Sequence, residues 1–447
     1  MNKKDIVIIG GSAAGLTAAI SARRTYPEKT ILLIRQEKQV LIPCGIPYVF
    51  GTVGSPEKNL MPDAPLEKNN IELLIGKATG IDRKNRVIHT TDGDVGYDRL
   101  IISTGSLPIM PPIPGFDIDG VFAVLKDVEF LRNLQQRLAQ AKDIVVIGGG
   151  FIGIEVADEI NKLGDKNISI VELMPHCLSL AYDEEFCIEM EDVLRERGLA
   201  LRTGVKVEAI NGDATVESVS LSDGTTLKAD LVIMGIGAAP NVELAKAAGL
   251  HIGLTGSIAV DRTMRTSDDF IYACGDCAEK ISFFGGGASP LKLASIAALE
   301  ARIAGANLFG LKRESPGTVG VWSTAVGDLA LGTAGLTEAM AKKRGYDVVA
   351  VAIEGPNRHP GIMPGAAKIK VKLVFESNSG VLLGGQVRGD STAGEISNII
   401  SACIQKRMTA EDIAMFQMGT QPALTASPVA YPLVNLAEMA IAQMHRS

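Results

Sequence analysis

The chain has 447 residues, 46% of them hydrophobic and only 4% aromatic, with 48 glycines. That length calls for two to four domains, and the mixture suits α/β layers with many tight turns better than an all-β sandwich. With 44 basic against 51 acidic side chains, a net charge of −7 and no basic blocks, the sequence gives no reason to expect nucleic acid or an anionic membrane as partner.

The opening, MNKKDIVIIGGSAAGLTAAI, has the lysines and apolar run of a signal peptide. Asp5 interrupts the flank, however, and the glycines are spaced for a strand, a turn and a helix. No apolar run long enough for a membrane span follows. Six cysteines at irregular spacing make no disulfide framework and point to a reducing, cytoplasmic setting.

In chain order, DIVIIGGSAAGLTAAISARR (5–24) reads as an apolar strand, a glycine cluster and a helix, followed by the strand TILLI (30–34). The strand RLIIS (99–103) ends at Thr104 and Gly105, and the prolines after it mark a domain crossover. DIVVIGGGFIGIEVADEINKLG (143–164) and NISIVEL (167–173) then repeat the opening plan. Two such units imply two nucleotide sites, or one site and a decayed duplicate. DLVIMGIGAAPN (230–241) returns as the earlier crossover did, and DFIYACGDCAE (269–279) is again strand then turn, with a helix from about Leu293 to Leu308. Beyond Gly310, alternating runs such as AKIKVKLVFE and GVLLGGQVRG, followed by amphipathic helices, indicate a separate α+β domain.

The second glycine run is a complete G-x-G-x-x-G: Gly148, Gly150 and Gly153, flanked by Phe151 and Ile152. Its glycines serve the tight turn, the backbone approach to a pyrophosphate and close helix–strand packing. Glu172 ends the next strand, where a carboxylate accepts from a ribose diol and repels a 2′-phosphate, favouring NADH over NADPH. The first run is Gly10, Ser12 and Gly15, with Gly11, Ala13 and Ala14 between them and serine in the middle glycine's place. Arg35 stands where its ribose acid belongs, and Glu37, two residues on, is the candidate substitute.

The motifs VIIGGSAAGL, LIISTGSLP, VVIGGGFIGIE, GIGAAPN and IYACGDCAE, in that order, resemble the pyridine nucleotide-disulfide oxidoreductases. The resemblance implies an α/β fold of two Rossmann-like domains plus a C-terminal α+β dimerisation domain, in a homodimer. It places FAD-binding parts at 1–112 and 241–318, an NAD-binding domain at 113–240 and the dimerisation domain at 319–447. It implies FAD and NADH as cofactors, and no metal. Asp276 would hold the ribityl or pyrophosphate region, and the helix opened by Leu293 and Ala294 would face the flavin. Pro43, Ala78, Thr104, Gly105 and Gly237 complete the implied cofactor contacts. On this reading Cys274 and Cys277 of CGDC are small packed residues around the flavin aspartate, where a blind reading sees a redox pair or half a zinc site. Cys177, Cys187 and Cys403 carry no motif.

Cys44, in QVLIPCGIPYVFG, has Val49 where a C-x-x-x-x-C disulfide would need its partner. LIPCGIPY instead resembles the family's single-cysteine branch, whose members reduce coenzyme A disulfide, persulfide, polysulfide, peroxide or oxygen. There the cysteine sits beside the flavin at a helix start, so Cys44 should be favoured as thiolate. The implied electron path is NADH to FAD to Cys44 to a small sulfur substrate. Ala13 stands where the peroxidase and oxidase branch places a histidine. Thr17 and Arg24 match coenzyme A contacts of relatives, His359 lies in a loop that reaches across the dimer, and Thr420 replaces a second tyrosine. An NADH oxidase reducing oxygen, and a flavoprotein electron carrier serving a protein partner, are the alternatives.

Overall fold

The computed structural model describes residues 2–446. Two compact units emerge. One runs to Pro112 and adds Phe116–Lys142 and Ile236–Thr318; the other holds Ile113–Gly115, Asp143–Gly235 and the chain from Val319 on.

In the first unit, the parallel strands Glu72–Ile75, Ile31–Arg35, Asn2–Ile9 and Gly93–Ile102 lie side by side, with Ile271–Ala273 parallel to Gly93–Ile102. Val87–Thr90 and Ala78–Asp82 add an antiparallel wing. Ile31–Arg35 is buried at every position, as an apolar strand with both faces covered should be. Helices Ala13–Thr25 and Ala294–Asn307 meet through small residues. A Cβ on Gly305 would sit 2.5 Å from the Ala18 carbonyl oxygen, so the two backbones come within a distance only glycine permits.

In the second unit, the parallel strands Leu231–Met234, Asp143–Ile147, Asn167–Glu172 and Ala200–Thr203 repeat the first unit's core. The chain beyond Val319 folds into five antiparallel strands, from Val321–Val326 to Val348–Pro356 at the edges, with helices Thr392–Gln405 and Pro432–Met444 on it. Lys372 of this sheet is 7% exposed and meets Asp183, Glu185 and Glu338 at 2.8–3.0 Å. Asp183, which precedes helix Glu184–Glu196, also accepts from the Gln386 amide at 2.6 Å and from the first N–H groups of helix Glu338–Lys343. A buried charge is tolerated only when paired and hydrogen-bonded in this way, so the network fixes the nucleotide strands and the C-terminal sheet in one unit. Among the described residues no helix is long and apolar enough to cross a membrane.

The glycine at each helix start is sterically obligatory. A Cβ on Gly15 would lie 1.8 Å from the Gly10 carbonyl oxygen and 2.9 Å from Ser103 Oγ. Gly15→Ala should therefore cost about 3 kcal/mol or more in thermal unfolding, whereas Gly394→Ala, inside helix Thr392–Gln405 with open space around it, should stabilise by roughly 0.5–1 kcal/mol.

Candidate functional site

The first glycine turn follows strand Asn2–Ile9 directly. Gly10 has φ +110, its N–H reaches the Ile34 carbonyl at 2.8 Å, and Ser103 closes it from below with its hydroxyl on the Ile9 carbonyl at 2.8 Å. Helix Ala13–Thr25 starts there with Ser12 as N-cap, yet that side chain makes no capping bond. The helix's first N–H groups thus lack both intrahelical and side-chain partners, and together with the helix dipole they suit a pyrophosphate. Ser12, Ala13 and Ala14 are half-buried, whereas Gly11 and Gly15 are buried.

Asp276 arrives from the opposite side. Its Oδ2 accepts from Ser106 Oγ at 2.7 Å, and Lys126 Nζ lies 3.9 Å away. Gly275, with φ +78, brings this loop against Ala14 and Ala297. A buried ion pair holds the loop: Glu300 accepts the Gly275 N–H at 2.9 Å and Lys280 at 3.1 Å, and Lys280 also donates to the carbonyls of Gly275 and Ala278. Lys280 is 3% and Glu300 1% exposed, and neither stood out in the sequence. Burial raises the Glu300 carboxyl, and Lys280 opposes that rise. Leu293 caps helix Ala294–Asn307 without a side-chain bond. Thr104 Oγ1 donates to the Asn241 carbonyl at 2.6 Å, which ties the return segment carrying Gly237 to the Thr104–Gly105 turn. Ala78, half-buried, opens strand Ala78–Asp82.

Cys44 does not sit at an α-helix start, contrary to expectation. Pro43–Gly45 is a single 3₁₀ turn, and a second, Pro47–Phe50, follows. Pro47 has no N–H to continue a helix, so the aligned dipoles that would favour a thiolate are missing. Position is secured otherwise. Strands Val40–Leu41 and Leu60–Met61 pair, and Ile42 N–H donates to the Asn59 carbonyl at 2.9 Å. The Asn59 amide returns a bond to the Ile42 carbonyl at 3.0 Å. A Cβ on Gly45 would lie 2.0 Å from Asn59 Oδ1, so the glycine after Cys44 is there to admit that amide. Asn59 is 5% exposed and was not anticipated, because its pairing with Ile42 forms only in the fold. Pro43, expected to touch the cofactor, opens the 3₁₀ turn and is half-buried.

The second turn reproduces the first. Gly148 has φ +110, a Cβ on Gly153 would sit 1.8 Å from the Gly148 oxygen, and Gly150, the N-cap of helix Phe151–Asn161, faces open space. The Glu172 carboxylate accepts the N–H groups of Gly149 at 2.6 Å and Met174 at 2.7 Å, with lone pairs to spare for a diol. Both cradles therefore fit dinucleotides. Phe151 stacks on Trp322 with ring centroids 6.3 Å apart, and Ile152 is exposed. Glu155, one helical turn on, was also missed. Burial, with Glu159 nearby, pushes its carboxyl up to about 7, against the pull of the Thr324 hydroxyl it accepts at 2.8 Å.

Thr17 and Arg24 share one face of helix Ala13–Thr25, with Arg24 exposed. His359 is half-buried: its Nδ1 lies 3.1 Å from the Thr425 carbonyl and its N–H reaches the Pro422 carbonyl, which joins its loop to the segment carrying Thr420. Cys177, Cys187, Cys274, Cys277 and Cys403 are all buried, and desolvation raises each thiol, Cys403 to about 11.

Because the folded-state value of Glu155 lies above that of an unfolded chain, its neutral form stabilises the fold. That contribution is complete below about pH 4.5 and disappears as pH rises through about 7. Glu155→Gln should therefore gain thermal stability over the parent from pH 5 to pH 8, and a pH-independent difference in melting temperature would contradict this.

Comparison with known proteins agrees with this geometry. Residues 4–301 match the pyridine nucleotide-disulphide oxidoreductase family, and 321–430 match that family's dimerisation domain. The chain is 34% identical to an NAD(P)H sulfur oxidoreductase (CoA-dependent) of Pyrococcus furiosus over 98% of its own length and 99% of the relative's. To an NADH oxidase of Methanocaldococcus jannaschii it is 32% identical, over 98% and 99%. The solved NAD-dependent persulfide reductase from A. fulgidus superposes with a TM-score of 0.92 at 32% identity, covering 99% of this chain and 84% of that one. The chain belongs to the pyridine nucleotide-disulphide oxidoreductase family, whose members use FAD and NAD(P)H.

Proposed function

We propose that the protein uses NADH to reduce a small sulfur substrate (persulfide, polysulfide or coenzyme A-type disulfide) through Cys44. The observation that carries this reading is exposure: of six cysteines, Cys44 alone is open to solvent, in the same unit as the first glycine turn. FAD is assigned to the first turn, with Asp276, Thr104, Gly105 and the helix at Leu293, and NADH to the second turn with Glu172. The domain limits 1–112, 113–240, 241–318 and 319–447 belong to the same proposal, as does a homodimer that brings His359 and Thr420 to a partner's site.

When bound, FAD supplies a two-electron relay between the nicotinamide and a sulfur atom. The chain's own groups do the remaining chemistry. With a persulfide, the Cys44 thiolate attacks the outer sulfur and a new S–S bond forms on Cys44. The old S–S bond breaks, and the substrate thiolate leaves and takes the proton released on NADH oxidation. Two electrons from NADH then cleave the Cys44 persulfide, releasing hydrosulfide and restoring the Cys44 thiolate. The ladder through Ile42 and Asn59 holds the sulfur in place while the substrate comes and goes. Thr17 and Arg24 offer a hydroxyl and a guanidinium to the phosphates of a coenzyme A carrier. Oxygen as acceptor is the second reading, supported by the NADH oxidase relative; Ala13 weighs against it, since no imidazole in that turn can protonate a departing peroxide.

Cys44→Ser separates these readings. NADH should still bleach the flavin without oxygen, while turnover with a persulfide should fall at least about 100-fold. Sulfur reduction at the parent rate would make Cys44 structural and favour the electron-carrier reading. Separately, Glu172→Ala should narrow the preference for NADH over NADPH by about tenfold, or about 1.4 kcal/mol. Equal kcat/KM for both nucleotides in the parent protein would remove the basis for assigning NADH.

A further inference from the structure

The two glycine turns share a backbone and differ in one charge. Gly10 and Gly148 have the same φ of +110, and each N–H reaches a carbonyl on the next strand, Ile34 or Val171, at 2.8 Å. Ile9 pairs with Ile34 as Ile147 pairs with Val171. The residue that follows is therefore equivalent in the two turns: Glu172 in one, Arg35 in the other. Side-chain placement agrees, because a Cβ on Gly149 would touch Glu172 Cβ and Cγ at 3.0 and 3.2 Å, and one on Gly11 would touch Arg35 Cβ and Cγ at 3.0 and 3.3 Å. A guanidinium cannot do what the carboxylate does. It is a donor only, whereas a ribose diol needs an acceptor for its protons.

The Arg35 side chain is 3% exposed, and a guanidinium that deep requires a counter-charge. Its Nη1 and Nη2 grip Asp63 at 2.6 and 2.8 Å, while Nε and Nη2 also donate to the carbonyls of Glu37 and Lys38. Asp63 is 39% exposed, and a carboxylate gripped by one guanidinium keeps lone pairs for a further donor. Glu37, the sequence's own candidate, meets Arg35 through its main-chain carbonyl, and its carboxylate accepts from Gln36 at 3.1 Å. We propose that Arg35 and Asp63 together form the adenosine-ribose anchor of the first turn, with Asp63 as the acceptor and Arg35 as the positioning residue that carries the carboxylate to the place Glu172 fills alone in the second turn. The proposal rests on reading the first turn as the FAD site.

The test is binding of flavin to the apoprotein, followed by quenching of flavin fluorescence. FAD is compared with an analogue whose adenosine ribose lacks both hydroxyls. The parent should bind FAD about tenfold tighter than the analogue. Asp63→Asn should bind FAD about tenfold more weakly and lose that discrimination, while Glu37→Gln keeps it. The double variant Arg35→Glu with Asp63→Asn, which rebuilds the second turn's arrangement, should regain it; if the single variant fails to fold, this one decides. The proposal is overturned if Asp63→Asn still discriminates, if Glu37→Gln is the variant that stops discriminating, if the folded double variant does not discriminate, or if the parent never did. A parent protein that binds no FAD would instead remove the reading of the turn beneath it.

Discussion

Both nucleotide turns depend on one close approach, a helix start pressed against the carbonyl oxygen of the turn before it. The space at Gly15 and at Gly153 leaves 1.8 Å where a Cβ would be, so any side chain would push the helix away from its strand. With the helix held that close, its first N–H groups point into the turn and no side chain caps them. The rest of the first site is arranged around this. The loop with Asp276 follows strand Ile271–Ala273 and rests on Ala14, and the Lys280–Glu300 pair holds it from beneath while Ser106 bonds Asp276 itself. A buried ion pair adds little net stability, but breaking it strands a charge, so loop and helix move together or not at all.

Sulfur chemistry is confined by burial. Five thiols lie in low-dielectric surroundings that disfavour their reactive anionic form. Cys44 alone meets solvent, on a 3₁₀ turn that contributes little dipole of its own. Exposure is what a thiol needs to meet a substrate, and of the six only Cys44 has it.

The duplicated turns solve one recognition problem with two electrostatic arrangements. In the second unit a single carboxylate is held by backbone N–H groups; in the first, an arginine buried at the same position brings a carboxylate from a distant loop. The arginine's stem covers Gly11 as the glutamate's covers Gly149, so packing is conserved while the charge carrier is exchanged.

Sequence alone was sufficient for the two strand–turn–helix units, because glycine spacing and apolar periodicity are local and their steric reasons lie within a few residues. Cys44 was singled out by the resemblance of LIPCGIPY to the family's single-cysteine branch, and the fold adds that, of the six thiols, this one is exposed. Sequence was insufficient wherever the decisive neighbour lies far along the chain. Asn59 opposite Cys44, Glu300 beneath Gly275, Thr324 over Glu155 and Asp63 on Arg35 are separated by 15 to 169 residues and meet only in the fold. The helix expected at Cys44 failed for a local reason, Pro47, whose effect a helical reading of the stretch passed over. Burial and charge pairing are properties of the assembled layers, and only the tertiary structure decided which carboxyls are raised by burial, which thiol is exposed and which acid pairs with Arg35.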